Sequence, residues 1–423
     1  MQAVIIAAGE SSRFWPFNNG RHKSQLKLLG KSLLHWTLKG LASHGVKSAA
    51  IVHSPFSSIQ EMLAEEGSGG IERIEYYTQD QPAGTGNALW QAREFVQEPF
   101  FVCWPGKINA RDIVPKVLEQ KNNGAQAVLA GARTETPWDY GIVRFEGDKA
   151  VEIVENPARG SEPSNIKTIG FYYFEPDFFG YYEKLSSRHE ADFIDAINLY
   201  LKEKRGALVF LEHDAPTLKY PWQAFEILDT LLRSSFFERL IAPSAMIGRN
   251  VTIEGLVHIG ERAVIKSGTA IEGPCFIGDD CEIGYNNVIR GGSNLERGVK
   301  TGAFCEIKHS IVQQDTHFHS GYVGDSIIGK NCRFGAGFIT ANRRMDRSSI
   351  HSMVKGKKID TGLTFFGSAI GDGVHSGIHT GTMPGVFIGR KAMIGPGTNV
   401  FENVQDETIL YSNPSLVQKQ NLP

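Results

Sequence analysis

The chain has no apolar run near the roughly 18 residues needed to cross a bilayer. Cysteine is scarce. The five residues are Cys103, Cys275, Cys281, Cys305 and Cys332, an odd number with no CxxC spacing. That indicates neither a disulfide framework nor a zinc site, and a reducing cytoplasm is the expected compartment. Charge imbalance is small, with a formal net charge of −2. Neither a nucleic-acid partner nor a membrane surface is expected on that balance. The opening MQAVIIAAGESSR lacks a basic stretch before its short apolar run and reads as a strand, not a secretory signal. What is present in quantity is length. A chain of 423 residues exceeds the roughly 250–300 beyond which single cores split, so at least two domains are expected.

The strongest pattern is a six-residue period. Isoleucine stands at 247, 253, 259, 265, 271, 277, 283 and 289, with Leu295 next, and glycine follows directly at Gly248, Gly260, Gly278 and Gly284. This is neither the helical period nor strand alternation. It predicts a β-solenoid in which each short strand contributes one inward aliphatic side chain, stacked into a dry column. The register returns at Ile370, Ser376, Thr382, Ile388, Ile394 and Val400. Cys275 and Cys281 share a hexad phase, so stacking on one face is expected. Between the two runs, 341–364 breaks the period and reads as a long projecting loop.

The first half alternates strand-like Ala3–Ala8, Ala49–His53 and Phe100–Trp104 with helix-like Leu33–Ser43 and Ala88–Phe95. Alternation of this kind predicts an α/β domain, a parallel sheet with helices on both faces and ligands at the carboxyl ends of its strands. Apolar residues at helical spacing from Trp222 to Leu240 predict a linker helix. The expected organisation is therefore 1–221, a linker at 222–242, a solenoid at 243–410 and a polar tail at 411–423.

After the first strand, a Gly/Ser loop carries Gly9, Arg13 and Lys23, whose amides and cations suit a phosphate. A second Gly-rich turn places Gln79 near Gly84, Thr85 and Gly86. Tyr140–Gly141, Glu155–Asn156–Pro157 and TIGFYYF from Thr168 follow. In this order, residues 1–222 resemble the sugar-1-phosphate nucleotidyltransferases, which have a Rossmann-like fold. The resemblance implies triphosphate binding by Gly9, Arg13 and Lys23, base binding by Gln79, Gly84 and Thr85, and a sugar pocket lined by Gly141, Glu155 and Thr168. The chain departs from that pattern at its metal positions. Lys107, in Gly106–Lys107, stands where the family has an Asp, and Gln223 stands where relatives place a second carboxylate. Ser11 and Asn156 also depart. Mg²⁺ takes hard oxygen ligands and an ammonium repels it, so no metal ligand is assigned here. The expectation is an inactive nucleotidyltransferase-like domain that no longer transfers nucleotides, with Asp112 as the alternative carboxylate.

The second half reads Glu306-Ile-Lys308-His-Ser-Ile, then His317-Phe-His319-Ser-Gly-Tyr322-Val-Gly-Asp-Ser, then Gly335-Ala336-Gly337 and Asn342. Residues 243–404 resemble the acetyltransferase domain of bifunctional N-acetylglucosamine-1-phosphate uridyltransferases, the archaeal type above all. That domain is a left-handed parallel β-helix working as a homotrimer. The resemblance implies acetyl-CoA as donor and an amino-sugar 1-phosphate as acceptor. It makes His319 the base, three residues before Tyr322, with His317 as the alternative because the preceding segment is one residue short. Lys308, Glu306 and Tyr322 would hold the acceptor, and Asn342 would position the amine. Ala336, Ile378 and Pro396 would contact acetyl-CoA, with the 335–337 turn donating an N–H to the oxyanion. The expected function is acetyl transfer to glucosamine- or galactosamine-1-phosphate. A bifunctional enzyme and a non-catalytic scaffold stand as alternatives.

Overall fold

The computed structural model describes residues 1–18, 20–187, 189–212, 216–413 and 415. The chain divides into two compact units. The first comprises Met1–Ser11, Gly20–Leu26 and Lys31–Leu218; the second comprises Ser12–Asn19, Lys27–Gly30 and Lys219–Pro423. Most of the expected 411–423 tail lies outside the described residues.

The first unit is built on a sheet with the strand order Gly206–Leu211, Ala127–Arg133, Ile166–Phe174, Phe100–Cys103, Gln2–Ala7, Ser48–His53, Arg73–Thr78. It is not wholly parallel, as expected from the alternation, because Ile166–Phe174 runs antiparallel to both neighbours. Side chains of Gln2–Ala7 alternate between two cores. Ala3, Ile5 and Ala7 face one core, packed by the helices Leu33–Ala42 and Ala110–Asn122. Val4 and Ile6 face the other, packed by Gly84–Gln91 and Asp192–Glu203. A strand buried on both sides needs an unbroken apolar run, which AVIIA supplies.

The second unit is a left-handed parallel β-helix. Its strands form three parallel sheets, one per face. The isoleucine ladder divides among them. Ile247 pairs with Ile265 and Ile283 on one face, Ile253 with Ile271 and Ile289 on a second, and Ile259 with Ile277 and Leu295 on the third. Successive hexads thus occupy successive faces, and one coil takes three hexads. For the same reason Cys275 and Cys281 do not share a face. Cys275 begins a strand of the third face, and Cys281 precedes Glu282–Ile283 on the first. Both are buried.

The coils shorten near His317. Thr301 pairs with Phe318 and Phe318 with Phe334, one and two positions short of three hexads. Aromatic rings fill the altered interior: Phe318 and Phe334 stack at 4.9 Å, and Phe334 and Phe338 lie at 4.2 Å. The segment expected to be a bare loop contains an antiparallel hairpin, His351–Val354 with Lys357–Asp360. It is pinned by the Ser352 hydroxyl, which donates to the Gly385 carbonyl at 2.9 Å, and by Asn403 Nδ2, which donates to the Met353 carbonyl at 2.8 Å.

The expected linker helix is shorter than 222–242. It spans Ala224–Arg233, and Leu240–Ile241 already belongs to the solenoid. Ser234 ends it, in extended backbone, its hydroxyl donating to the Leu231 carbonyl at 2.7 Å. The helix and the Pro221–Gln223 turn before it carry an aromatic cluster: Trp222 and Phe225 lie against Phe366, and Trp222 also against Phe387. Two short N-terminal segments belong to this unit as well. The Trp15 indole donates to Asp406 Oδ1 at 3.0 Å and packs on Phe387. The Leu29 amide donates to Asn294 Oδ1 at 2.8 Å, and the Gly30 amide to Glu296 Oε1 at 3.1 Å. These bonds explain how Asn294 and Glu296 can be buried.

Candidate functional site

In the first unit, Gly9 follows the end of Gln2–Ala7 with open space where a Cβ would stand. Ser11, at φ 53°, accepts the Lys23 amide on its hydroxyl at 3.1 Å. Arg13 is exposed and falls in the Ser12–Asn19 segment of the second unit. Gln79 is buried, and its Nε2 donates both to the Gly84 carbonyl and to Asn87 Oδ1, each at 2.9 Å. Both amide hydrogens are committed, so only Oε1 is left to read a base, and it reads a donor. Thr85 lies one residue into the helix that starts at Gly84.

Gly141 pairs with Glu155 across two antiparallel strands, and a Cβ on Gly141 would lie 2.5 Å from Glu155 Oε1. Glu155 therefore lies flat over the glycine, and desolvation raises its pKa. Thr168 hydrogen bonds the buried Tyr172 side chain. Lys107 is only 6% exposed, after a Gly106 held at φ 109° whose amide donates to Thr37 Oγ1 at 2.9 Å. Asp112 is exposed in the first turn of Ala110–Asn122. Gln223, in the second unit, uses Oε1 to accept the amides of Lys219 and Tyr220 at 2.7 and 2.9 Å. Among the described residues no three His, Cys, Asp or Glu side chains cluster as a metal site would require.

In the second unit the candidate residues form two groups. The first lies on the face carrying Cys305–Lys308 and Gly321–Gly324. Alternation there turns Cys305 and Ile307 inward and Glu306 and Lys308 outward. Tyr322 stacks beside Glu306, and Gly324 beside Lys308. Asn342 Nδ2 donates to Tyr322 Oη at 3.0 Å and to Asp325 Oδ2 at 2.6 Å. Both its amide hydrogens are committed, leaving Oδ1 to accept from a ligand. Lys308 Nζ donates to the same Asp325 oxygen at 2.9 Å. A Cβ on Gly324 would lie 2.4 Å from Tyr322 Oη and 2.7 Å from Asn342 Nδ2, so a glycine lets both side chains lie flat. Glu306 accepts from Arg290 Nη1 at 3.1 Å.

Asp325, Arg290 and His309 were missed as site residues. Asp325 was visible as the Asp of Tyr-Val-Gly-Asp-Ser, but nothing in the sequence joined it to Lys308 and Asn342. Burial opposes ionisation of Asp325, yet hydrogen bonds from His309, Lys308 and Asn342 outweigh it and hold the carboxyl below the usual range. Tyr322 is pushed up by burial and by the charges of Asp325 and Glu306.

The second group surrounds a groove of about 640 Å³ whose lining includes His317, His319, Gly335, Ala336, Ser376 and Ile378. His319 is exposed at the corner between His317–Phe318 and Gly321–Gly324. Its backbone amide donates to the Phe334 carbonyl at 2.9 Å, and its ring has no hydrogen-bond partner among the described residues. His317 belongs to a ladder of outward side chains, Glu282, Lys300, His317, Arg333 and His375. Burial, then Arg333 and Lys300, lower its pKa.

The 335–337 turn, expected to donate an N–H to the oxyanion, has two of its three amides engaged. The Gly335 amide donates to the Ser376 carbonyl and the Gly337 amide to the Ser320 carbonyl, both at 3.1 Å. Only the Ala336 amide has no partner among the described residues. Pro396 is exposed, and its ring lies where a Cβ on Gly377 would contact it, at 2.7 Å. Ile378 is 52% exposed on the groove wall.

Comparison with known proteins gives a consistent answer. Residues 2–224 match the family model described as nucleotidyl transferase. The chain is 32% identical, over 99% of its length and 98% of the relative's, to the bifunctional protein GlmU of Methanococcus maripaludis strain C5. It is 32% identical, over 96% and 98%, to a bifunctional sugar-1-phosphate nucleotidylyltransferase/acetyltransferase of Sulfurisphaera tokodaii. The bifunctional protein GlmU of Methanocaldococcus jannaschii is 29% identical over 99% of both chains. No helix among the described residues is long and apolar enough to cross a membrane.

Proposed function

This chain belongs to the family of bifunctional sugar-1-phosphate nucleotidylyltransferase/acetyltransferases, and from that premise we propose that it acetylates the amine of an amino-sugar 1-phosphate with acetyl-CoA. The observation that carries the reading is the groove shared by exposed His319 and the Ala336 amide, which has no partner among the described residues. The His319 imidazole, in its neutral form, removes the proton from the hexosamine ammonium as a general base. The freed amine forms a C–N bond at the thioester carbonyl and loses a second proton to solvent as the C–S bond breaks. The Ala336 N–H donates to the developing oxyanion, and the proton held by His319 passes to the leaving thiolate. Asn342 Oδ1 accepts from the amine, while Lys308 and Tyr322 bind the phosphate side of the sugar. Ile378 and Pro396 flank the pantetheine arm. His317 lines the same groove and is the competing base.

The test is thiol release from acetyl-CoA on adding glucosamine-1-phosphate. Absence of release with both that acceptor and galactosamine-1-phosphate overturns the reading.

A second reading adds nucleotidyl transfer by the first unit. It is favoured by the full-length relatives, one of which is named a nucleotidylyltransferase, and by the Gly141–Glu155 and Gln79 arrangements. Lys107 argues against it, because an ammonium does not suit the Mg²⁺ that clamps reacting phosphates. Pyrophosphate release from UTP or dTTP with N-acetylglucosamine-1-phosphate decides. Robust release would establish the bifunctional enzyme; none, with UTP still bound, would leave a ligand-binding domain.

A further inference from the structure

Gln79 stands just past the carboxyl end of the edge strand Arg73–Thr78, and its backbone amide donates at 2.9 Å to the carbonyl of His53, the last residue of the neighbouring strand. This is the end of a sheet where ligands of α/β folds bind. The side chain is only 7% exposed, so its amide cannot be turned over without losing the bonds it makes to the protein. Nε2 donates to the Gly84 carbonyl and to Asn87 Oδ1, each at 2.9 Å, and Oε1 has no partner among the described residues. A carbonyl has lone pairs and no hydrogen, so only the nitrogen of Gln79 can face Gly84. With that nitrogen placed, Asn87 must present its oxygen to it. One backbone carbonyl therefore settles which way both amides point.

That carbonyl is itself held in place. Gly84 has φ 90°, and a Cβ there would lie 3.1 Å from both the Cα and the carbonyl oxygen of Glu190. Two residues on, Gly86 has no room for a Cβ either, because the Asp192 carboxylate and the Tyr182 ring lie against it. Asp192 is fully buried, and Tyr182 Oη donates to its Oδ2 at 2.6 Å. The segment from Glu190 to Asp192 thus clamps the opening turn of the helix Gly84–Gln91, and Asn87 belongs to that turn.

We propose that Asn87 is a specificity-determining residue of this site, a positioning residue that acts through Gln79. By accepting Nε2 it keeps Oε1 directed away from Gly84, and so selects a nucleobase that brings an N–H donor to that oxygen. The inference rests on the reading of the first unit as a nucleotide-binding domain. Uracil carries a hydrogen on N3, whereas cytosine has a bare lone pair at the same ring position. Oε1 accepts from the first and meets lone pair with lone pair in the second. A site built around such a bond rejects the analogue that lacks it, because a buried polar atom is left unpaired. Cytosine would bind only if Gln79 turned over, which would set Oε1 against both the Gly84 carbonyl and Asn87 Oδ1. Without the Asn87 oxygen, one of those two obstacles is gone.

The experiment titrates the full chain calorimetrically with UTP and with CTP, as parent, Asn87→Leu and Asn87→Asp. The parent is expected to bind UTP more tightly than CTP by roughly 10²-fold or more. Asn87→Leu keeps the length of the side chain and offers no acceptor. Its affinity for UTP should fall while that for CTP rises, so that the ratio shrinks roughly tenfold, the scale of one hydrogen bond. Asn87→Asp offers acceptors alone and should keep the parent's ratio, even where its charge weakens both nucleotides together. A purely structural Asn87 predicts otherwise, namely equal weakening of UTP and CTP in the leucine variant, and that result overturns the proposal. So does an unchanged ratio in a folded leucine variant, or a ratio lost in the aspartate variant. A parent that binds UTP and CTP equally also overturns it, while leaving the nucleotide-binding reading intact. A parent that binds neither removes that reading, and the role of Asn87 falls with it.

Discussion

Asn342 donates to Asp325 at 2.6 Å, and the two side chains fix each other. Asp325 has a negative oxygen that must be paired because its side chain is only 5% exposed. Asn342 needs an acceptor to aim Oδ1 outward. Asn342→Ala leaves Asp325 short of one donor and removes the acceptor for the amine. Loss of an interaction of this kind is worth about 1–3 kcal/mol, so kcat/KM for acetyl transfer should drop roughly 10- to 100-fold. Asn342→Asp, which sets a second carboxylate against Asp325, should be the worse of the two. Thiol-release kinetics on both variants check this, and an Asn342→Asp enzyme as active as the parent would remove Asn342 from the site.

Gly324 gives a test in which activity and stability separate. A Cβ at this position would lie 2.4 Å from Tyr322 Oη, so Tyr322 and Asn342 must move. What has to shift is the far end of two side chains and not the backbone. Gly324→Ala should therefore reduce acetyl transfer by at least about tenfold while Tm shifts by only a few degrees, because the clash at this buried glycine is with side-chain ends. Thermal melts beside the same kinetic assay decide, and full activity in this variant would show that the Tyr322–Asn342 arrangement is dispensable.

His319 and His317 make opposite predictions. His319 is exposed, and its ring has no partner among the described residues, whereas His317 sits inside a ladder between Lys300 and Arg333. Removing a general base costs about 10²–10⁴-fold. His319→Ala should show that loss in kcat, and His317→Ala should lose less than tenfold. The reverse order would transfer the role to His317, whose lowered pKa keeps it neutral and able to accept a proton.

The solenoid was legible because its period is written in single residues. Ile259, Ile265, Ile271 and Ile277 each fill an identical inward position, and a repeat leaves little else that sequence could mean. Tyr322 and Asn342 were legible for a different reason, as members of a motif. What escaped was every relation fixed by the third dimension. Cys275 and Cys281 have one phase but two faces, because a hexad is one face and not one coil. Asp229 is the clearest case. On sequence it is a polar residue on a linker helix, with nothing to connect it to His309. Only the packing of Phe225 on the His309 ring brings it there. The antiparallel strand Ile166–Phe174 was missed because a strand buried on both sides reads the same in either direction.

Stability should depend on pH through the same histidine. His309 is titrated in the folded chain at about 9, because desolvation by burial is outweighed by the hydrogen bonds and charges of Asp229 and Asp325, and at about 6.5 when unfolded. A raised folded-state value means that the folded chain keeps a proton the unfolded chain releases. The stabilisation is fully present below pH 6.5 and is lost as pH rises from there through 9. A shift of this size sets a ceiling of roughly 3 kcal/mol, and the measured loss should be smaller because water reaches part of the ring. Asp325 works in the opposite direction at acid pH. Its folded pKa is depressed, so its contribution is present above about 4 and disappears as pH falls below that value. Melting the parent and His309→Gln from pH 6 to pH 10 isolates the histidine. The gap between the two curves should close as pH rises, and a gap that stays constant would mean that His309 is neutral in the folded protein.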